Sequence, residues 1–344
     1  MMNGNVSPDR NGGSVRAVLG RFIQRQESSI IIMLILYMGA VTLVNPTFSS
    51  GANLFNVLRS SGFTLITVIG MTFILITGGL DLSVGSVLAL GGVITGMACR
   101  TGLPVPAAIM LGLGMGLLIG FLNGIIIVKS GIPPLIVTLG MQYAAKGLVQ
   151  VLTKGVPIYP LPAAIKAIEK FRFIGLPAVV LFALGIAVIG HIVLSSTEFG
   201  RSIYALGGNR EAARISGIRT KRTELLVYTI TGGLAALAGI FITARLGSAE
   251  AAAGTGYELT VICAAIIGGT STFGGTGSIL GSVLGAFFME VLTNSLTLMH
   301  ISVYWQNLVV GTILILAVLL DQYKRRLIMR QALRSVGKAE SAHD

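Results

Sequence analysis

The chain has 344 residues, 53% of them hydrophobic and only 11% charged, with a net charge of +12 and a mean hydropathy of +0.85. A soluble protein with so few charges would expose large apolar patches and aggregate, so the composition excludes a water-soluble globular domain. The positive charge does not point to nucleic acid either, because the basic residues gather at the ends of apolar runs, as the positive-inside rule predicts.

Apolar stretches of about 18 or more residues read as membrane-spanning helices. In chain order, spans are expected at about 28–45, 58–78, 83–99, 105–128, 133–152, 176–195, 223–246, 258–271, 276–297 and 304–321. The fold class is therefore all-α, a polytopic membrane protein of about ten transmembrane helices with glycine-rich broken helices. Asn45-Pro46 ends the first span, since proline lacks the amide donor that a helix needs. Ten is an even number, so both tails fall on one side, and the basic clusters at 10–25, 201–222 and 324–338 place that side in the cytoplasm. The expected organisation is an N-terminal cytoplasmic tail at 1–27, a transmembrane domain at 28–321 containing a cytoplasmic loop at 195–224, and a C-terminal cytoplasmic tail at 322–344. The loop at 153–175 is the exception, since it faces outward yet holds Lys154, Lys166, Lys170 and Arg172. A surface helix over 163–173, with Ile165, Ile168 and Phe171 toward lipid, would reconcile the two.

The 46 glycines are not random. Gly112, Gly116, Gly120 and Gly124 recur every fourth residue in the fourth span, and Gly277, Gly281 and Gly285 do so in the ninth. Small residues at this spacing line one helix face and let two backbones approach closely. The face serves either static packing or a sliding, gating surface. A faint internal echo joins the segment starting Ile76-Thr77-Gly78-Gly79 to the one starting Ile267-Gly268-Gly269-Thr270. Transporters are often built from repeats with broken helices near the substrate path.

No nucleotide site is visible. The P-loop spacing G-x-x-x-x-G-K-[ST] is missing, and Gly140 to Gly147 does not reproduce it. The two cysteines and three histidines show no disulfide framework or metal spacing. Few ionisable residues fall within the spans; Arg59, Lys146, Arg245, Glu258 and Glu290 are among them, in or near helix ends. So sparse a set suits a neutral, hydroxyl-rich solute better than an ion. Gly78, Gly79, Asp81, Ser83 and Glu258 are the candidates for the pathway or its gate. Asp81 and Ser83 have a plainer reading as caps of the third span, where side-chain oxygens accept free backbone N–H groups.

The segment 195–224 carries Arg201, Arg210, Arg214, Arg219, Lys221 and Arg222 with Glu198, Glu211 and Glu224. Gly207-Gly208-Asn209 reads as a turn, with Asn209 capping a short helix from Glu211 that Gly217 stops. Ala212, Ala213, Ile215 and Ile218 would form a small apolar docking surface among charges. The alternative is a solvated loop that anchors topology.

This segment resembles the cytoplasmic Glu-Ala-Ala loop of importer-type ABC permeases: Glu211-Ala212-Ala213, three residues, then Gly217. Other stretches resemble the ribose-type branch of that family: Asn45-Pro46-Thr47-Phe48, Asn56-Val57-Leu58-Arg59, Gly70-Met71-Thr72-Phe73, the run from Ile76 to Gly85, and Gly131-Ile132-Pro133-Pro134. Thr197-Glu198-Phe199-Gly200-Arg201, Gly254-Thr255-Gly256-Tyr257-Glu258 and Ile267-Gly268-Gly269-Thr270 continue the likeness. The resemblance implies a pore built by two permease subunits, homodimeric or paralogous, in a prokaryotic inner membrane. It implies two ATPase subunits that receive the Glu-Ala-Ala helices and use ATP and magnesium, and an extracytoplasmic sugar-binding protein. This chain itself would bind no cofactor and have no catalytic residues. A secondary carrier driven by ions or protons is the alternative, and it would need a deep ionisable site and no ATPase.

Overall fold

The computed structural model describes the backbone of residues 26–340; the expected N-terminal tail lies outside the described residues but for its last two, and the expected C-terminal tail is described as far as residue 340, for the most part as backbone only. Each of the ten expected spans contains a helix: α1 (Gln26–Val44), α2 (Gly51–Ile76), α3 (Val84–Arg100), α4 (Val105–Ser130), α5 (Pro134–Thr153), α7 (Ala178–Ser196), α10 (Thr220–Leu246), α11 (Tyr257–Ile267), α12 (Ile279–Leu298) and α13 (Val303–Glu340). Between them lie α6 (Ala163–Lys170), α8 (Glu198–Gly208), α9 (Arg210–Ile215) and a two-stranded hairpin of β1 (Arg172–Phe173) and β2 (Leu176–Pro177). Seven of the ten are long and apolar enough to cross a membrane unaided, and the apolar parts of α1, α3 and α11 are shorter.

The boundaries follow local chemistry. After α1, Asn45 caps a single 3-10 turn, Pro46–Ser49, by accepting the Thr47 amide at 3.1 Å. Ser50 then opens α2 by accepting the Asn53 amide. Gly131 and Gly247, with φ of 71° and 66°, close α4 and α10 in the left-handed conformation that glycine enters freely.

Helix α10 is the hub, packed against α4, α3 and α2. Glycines make this closeness possible. A Cβ on Gly116 would meet the Gly232 carbonyl at 2.5 Å, one on Gly124 would meet the Leu225 backbone at 3.0 Å, and one on Gly120 would meet the backbone of Tyr228 and Thr229. Gly112 does the same against Gly91 and Thr95 of α3. In α12, Gly281 and Gly285 lie against Gly268 and Ala264. Gly277 does not share that face: Ser278 is the N-cap, accepting the Gly281 amide at 3.0 Å, so the helix begins only after it. Gly277 sits instead in the preceding break, against Thr270 and Ile76.

Two further expectations change. The helix α6 buries Ile165 completely against the bundle rather than turning it to lipid, and only Phe171 of the three apolar residues is well exposed. The span expected at 258–271 is an 11-residue helix, which at 1.5 Å per residue is about 16 Å long and covers about half of a bilayer core. The chain between α10 and α11 makes up the difference by running back into the bundle. Ala249 pairs with Ile158 at the end where α10 finishes, and Gly254 meets Gly85 near the start of α3.

Candidate functional site

At the end of the bundle carrying α8 and α9, Thr197 opens α8 by accepting the Gly200 amide at 3.1 Å. Asn209 then serves two helices. Its amide donates to the Ala205 carbonyl to finish α8, and its Oδ1 accepts the Ala212 amide at 2.9 Å to start α9. Gly207 and Gly208, expected in a turn, are the last helical residues of α8. At the far end of α9, Gly217 has a φ of 84°. The Ile218 amide donates to the Ala213 carbonyl and the Gly217 amide to the Arg214 carbonyl, both at 3.1 Å. This is a Schellman closure, and it needs the left-handed residue that glycine supplies.

Helix α9 presents Glu211, Ala212, Arg214 and Ile215 outward, with Ile215 76% exposed. Ala213 is only 4% exposed and packs inward, so it belongs to the anchor of the helix and not to its outer face. The outer rim is charged. Arg214 donates to both carboxylate oxygens of Glu211, at 2.6 and 3.1 Å. Those hydrogen bonds, and the positive charge behind them, hold the Glu211 carboxyl below the usual carboxylate range. Arg210 ties α9 to α10 by a two-pronged pair with the buried carboxylate of Glu224. Beside α9 a cleft of about 940 Å³ opens between α8 and α10, with Arg201, Arg219 and Arg222 on its walls.

The inner side of α8 touches both glycine-rich breaks. A Cβ on Gly207 would strike the Ile76 carbonyl and come within 2.6 Å of the Gly275 amide. The Gly275 amide donates to the Ile76 carbonyl at 2.8 Å, and the Tyr204 hydroxyl donates to the Gly277 carbonyl at 2.7 Å. The two segments that echo each other in sequence thus meet beneath α8.

The candidates for pathway or gate separate into two places. Gly78, Gly79, Asp81 and Ser83 lie in the first break. Asp81 is 1% exposed, and its carboxylate accepts the Ser83 amide at 2.7 Å and the Ser83 hydroxyl at 2.6 Å. The Ser83 hydroxyl in turn accepts from the Asn123 amide at 2.9 Å. Ser83 makes no side-chain cap on α3. Glu258 stands apart, at the start of α11, where it accepts from the Gln142 amide at 2.9 Å. A cavity of about 80 Å³ opens there, with Ser86, Gln142, Lys146, Thr255 and Glu258 on its wall. Sequence reasoning singled out neither Gln142 nor Tyr204, the partners of Glu258 and of the Gly277 carbonyl. The signal available for Gln142 was an uncharged polar side chain in an otherwise apolar span.

The chain matches the family model described as "Branched-chain amino acid transport system / permease component" over residues 53–318. It is 38% identical to the ribose import permease protein RbsC of Haemophilus influenzae, over 89% of this chain and 95% of that relative. It is also 38% identical to RbsC of Bacillus subtilis, over 83% and 89%. It is 32% identical to the autoinducer 2 import system permease protein LsrC of Salmonella choleraesuis, over 91% and 90%. No solved structure matches the chain. These likenesses run to import permeases and do not support an ion-coupled carrier. The chain, a multi-pass membrane protein, belongs to the family of branched-chain amino acid transport system permease components, in the branch that holds the ribose import permeases.

Proposed function

We propose that this chain is the pore-forming permease subunit of an ATP-driven importer for ribose or a related small carbohydrate. The observation that carries the reading is the 38% identity to ribose import permeases along nearly their whole length, in a chain whose α9 stands out from the bundle end with an exposed Ile215 in a charged rim. In this reading the bundle end carrying α8 and α9 is cytoplasmic, with both tails, and 28–321 forms the permease domain. Residues 195–224 couple it to the ATPases. Helix α9 docks in a cleft of a separate ATPase subunit through Glu211, Ala212 and Ile215. Asn209 and Gly217 fix its two ends, Ala213 anchors it, and Gly207 and Gly208 carry its motion through α8. ATP and magnesium belong to that ATPase, since the chain has no P-loop run.

An extracytoplasmic sugar-binding protein delivers the solute at the opposite end. A second permease, the same chain or a paralogue, completes the pore. Supporting this, α5 and the apolar part of α13 bury little of their surface within one chain. The test is uptake of a panel of labelled sugars by the reconstituted complex, with and without ATP, beside co-purification of the ATPase. ATP-dependent uptake of ribose or a close analogue is expected. ATP-independent uptake, or a chain that purifies without an ATPase, overturns the reading.

A further inference from the structure

Glutamine and lysine are expensive in the middle of an apolar helix unless they face water, a polar partner or a solute. Gln142 lies eight residues from one end of α5 and eleven from the other, about 12 and 16 Å along the axis, so it sits near the middle of the bundle. Lys146 is one turn further and on the same side of the helix. Both turn into the cavity where α11 begins, and there they meet Glu258, Ser86 and Thr255. Most of α5 beyond this edge is uncovered within the chain.

The first half-turn of α11 is where the backbone re-enters from one end of the bundle and stops halfway. Irregular backbone at such depth is tolerated only where protein or water satisfies its polar groups. The cavity provides one carboxylate, one ammonium, one amide and two hydroxyls. Its formal charge is zero. A carboxylate accepts, an ammonium donates, and amides and hydroxyls do both. That set complements a neutral molecule with several hydroxyls, each of which both donates and accepts. An anion or a cation would meet one matching charge and one opposing charge.

We propose that this cavity is a hydroxyl-recognising station on the solute path, in which Gln142, Lys146 and Glu258 exchange hydrogen bonds with a neutral polyhydroxylated solute as it passes. The assignment rests on the permease reading. The Gln142–Glu258 hydrogen bond orients the carboxylate across the cavity mouth when no solute is present, and Lys146 balances its charge. Solute hydroxyls replace that bond in passage.

The test uses the whole complex, permease with its ATPase and binding protein, in proteoliposomes with radiolabelled ribose. Gln142→Leu and Lys146→Met each remove one partner, Glu258→Gln removes the negative charge, and each should cut ribose uptake by about tenfold or more. Hydrolysis of ATP stimulated by the binding protein should persist, because none of the three lies at the α8–α9 end. A second readout separates a polar path from a merely structural cluster. With Cys99 and Cys263 replaced by alanine, Gln142→Cys and Lys146→Cys should react with a charged, water-soluble thiol reagent, and ribose with cycling ATP should slow the reaction. Leu148→Cys, on the opposite side of α5, should not react. Wild-type uptake in Gln142→Leu and Glu258→Gln overturns the proposal. So does labelling that is absent, or present but indifferent to ribose. Failure of the permease reading looks different: the wild-type complex itself would neither take up sugar nor respond to the binding protein.

Discussion

The break at 77–83 and the break at 268–278 carry similar glycine-rich sequences, yet they are held in opposite ways. The first is mostly buried and held from within the bundle: the Asp81 carboxylate accepts the amide and hydroxyl of Ser83, and Thr138 of α5, Asn123 of α4 and Tyr228 of α10 add hydrogen bonds to its backbone and to Ser83. The second is half-exposed and held from outside. Asp321, near the far end of the apolar part of α13, accepts the Ser271 hydroxyl, the Thr272 amide and the Thr272 hydroxyl, all at 3.0–3.1 Å. Tyr204 of α8 holds its other limb. Glycine pairs therefore mark where backbones come together, while the neighbours decide whether the place is a fixed knot or a clasp that other helices can pull.

The largest effect should come where both breaks are touched at once. Gly207→Val puts a branched side chain against the Ile76 carbonyl and the Gly275 amide, backbone atoms that cannot swing aside. Overpacking of this kind costs about 3 kcal/mol. We expect little folded protein by size-exclusion and no uptake. A variant that folds and transports normally would mean that the two breaks do not need to meet beneath α8.

Removing the acids one at a time sharpens the contrast. Asp81→Ala leaves a buried amide and hydroxyl without their acceptor, a loss of about 1–3 kcal/mol. Asp321→Ala, in a half-exposed place, should cost about 1 kcal/mol and be repaired in part by Asp321→Asn. Thermal melts of the detergent-solubilised chain check both, and equal losses would erase the distinction between knot and clasp.

Next comes Gly217→Ala. At a φ of 84° a side chain costs about 1 kcal/mol, which loosens the end of α9 without disturbing the spans. Insertion should be normal, uptake reduced, and ATP hydrolysis by the partner less responsive to the binding protein. Gly116→Leu on α4 is its counterpart, with insertion intact but packing against Gly232 and Ala236 lost, at about 1–3 kcal/mol.

The smallest effect concerns charge. The Glu211 carboxyl is lowered by Arg214, so the pair's contribution to α9 is fully present above the ordinary carboxylate pKa. It is lost only as pH falls through the depressed folded value. ATPase affinity should therefore be flat from pH 6 to 8, and Glu211→Gln should change it by no more than about twofold unless a partner cation is paired there. A steep pH dependence in that window would point to another group.

The helices themselves were legible because apolar run length is a strong signal that needs no tertiary knowledge. The end of the span at Pro46, the cap at Asn209 and the stop at Gly217 were legible for the same reason, since each depends on its own residue's chemistry. What escaped depends on neighbours. Six residues are too few to define a face, so Ala213 could not be told from Ala212. An apolar run at 258–271 does not say that its helix covers half the bilayer. Gly277 keeps the four-residue spacing of Gly281 and Gly285, but Ser278 starts the helix after it. Ile165 reads as lipid-facing until the bundle is found packed against it. The pairing of Gln142 with Glu258, 116 residues apart, has no trace in local pattern.

Asn209 is shared between α8 and α9, so no loop separates the two helices. A loop would act as slack, taking up part of any displacement before passing it on. In the proposed coupling, α9 works as a short crank turning at Asn209 and braced on α10 by the Arg210–Glu224 pair. Two residues behind Asn209, about 3 Å along the axis of α8, Gly207 already rests on the Ile76 carbonyl. On the proposed docking, a push on α9 would meet the junction of the two breaks within one turn of helix, and backlash in the linkage would be limited to what the hydrogen bonds of Asn209 and the Arg210–Glu224 pair allow.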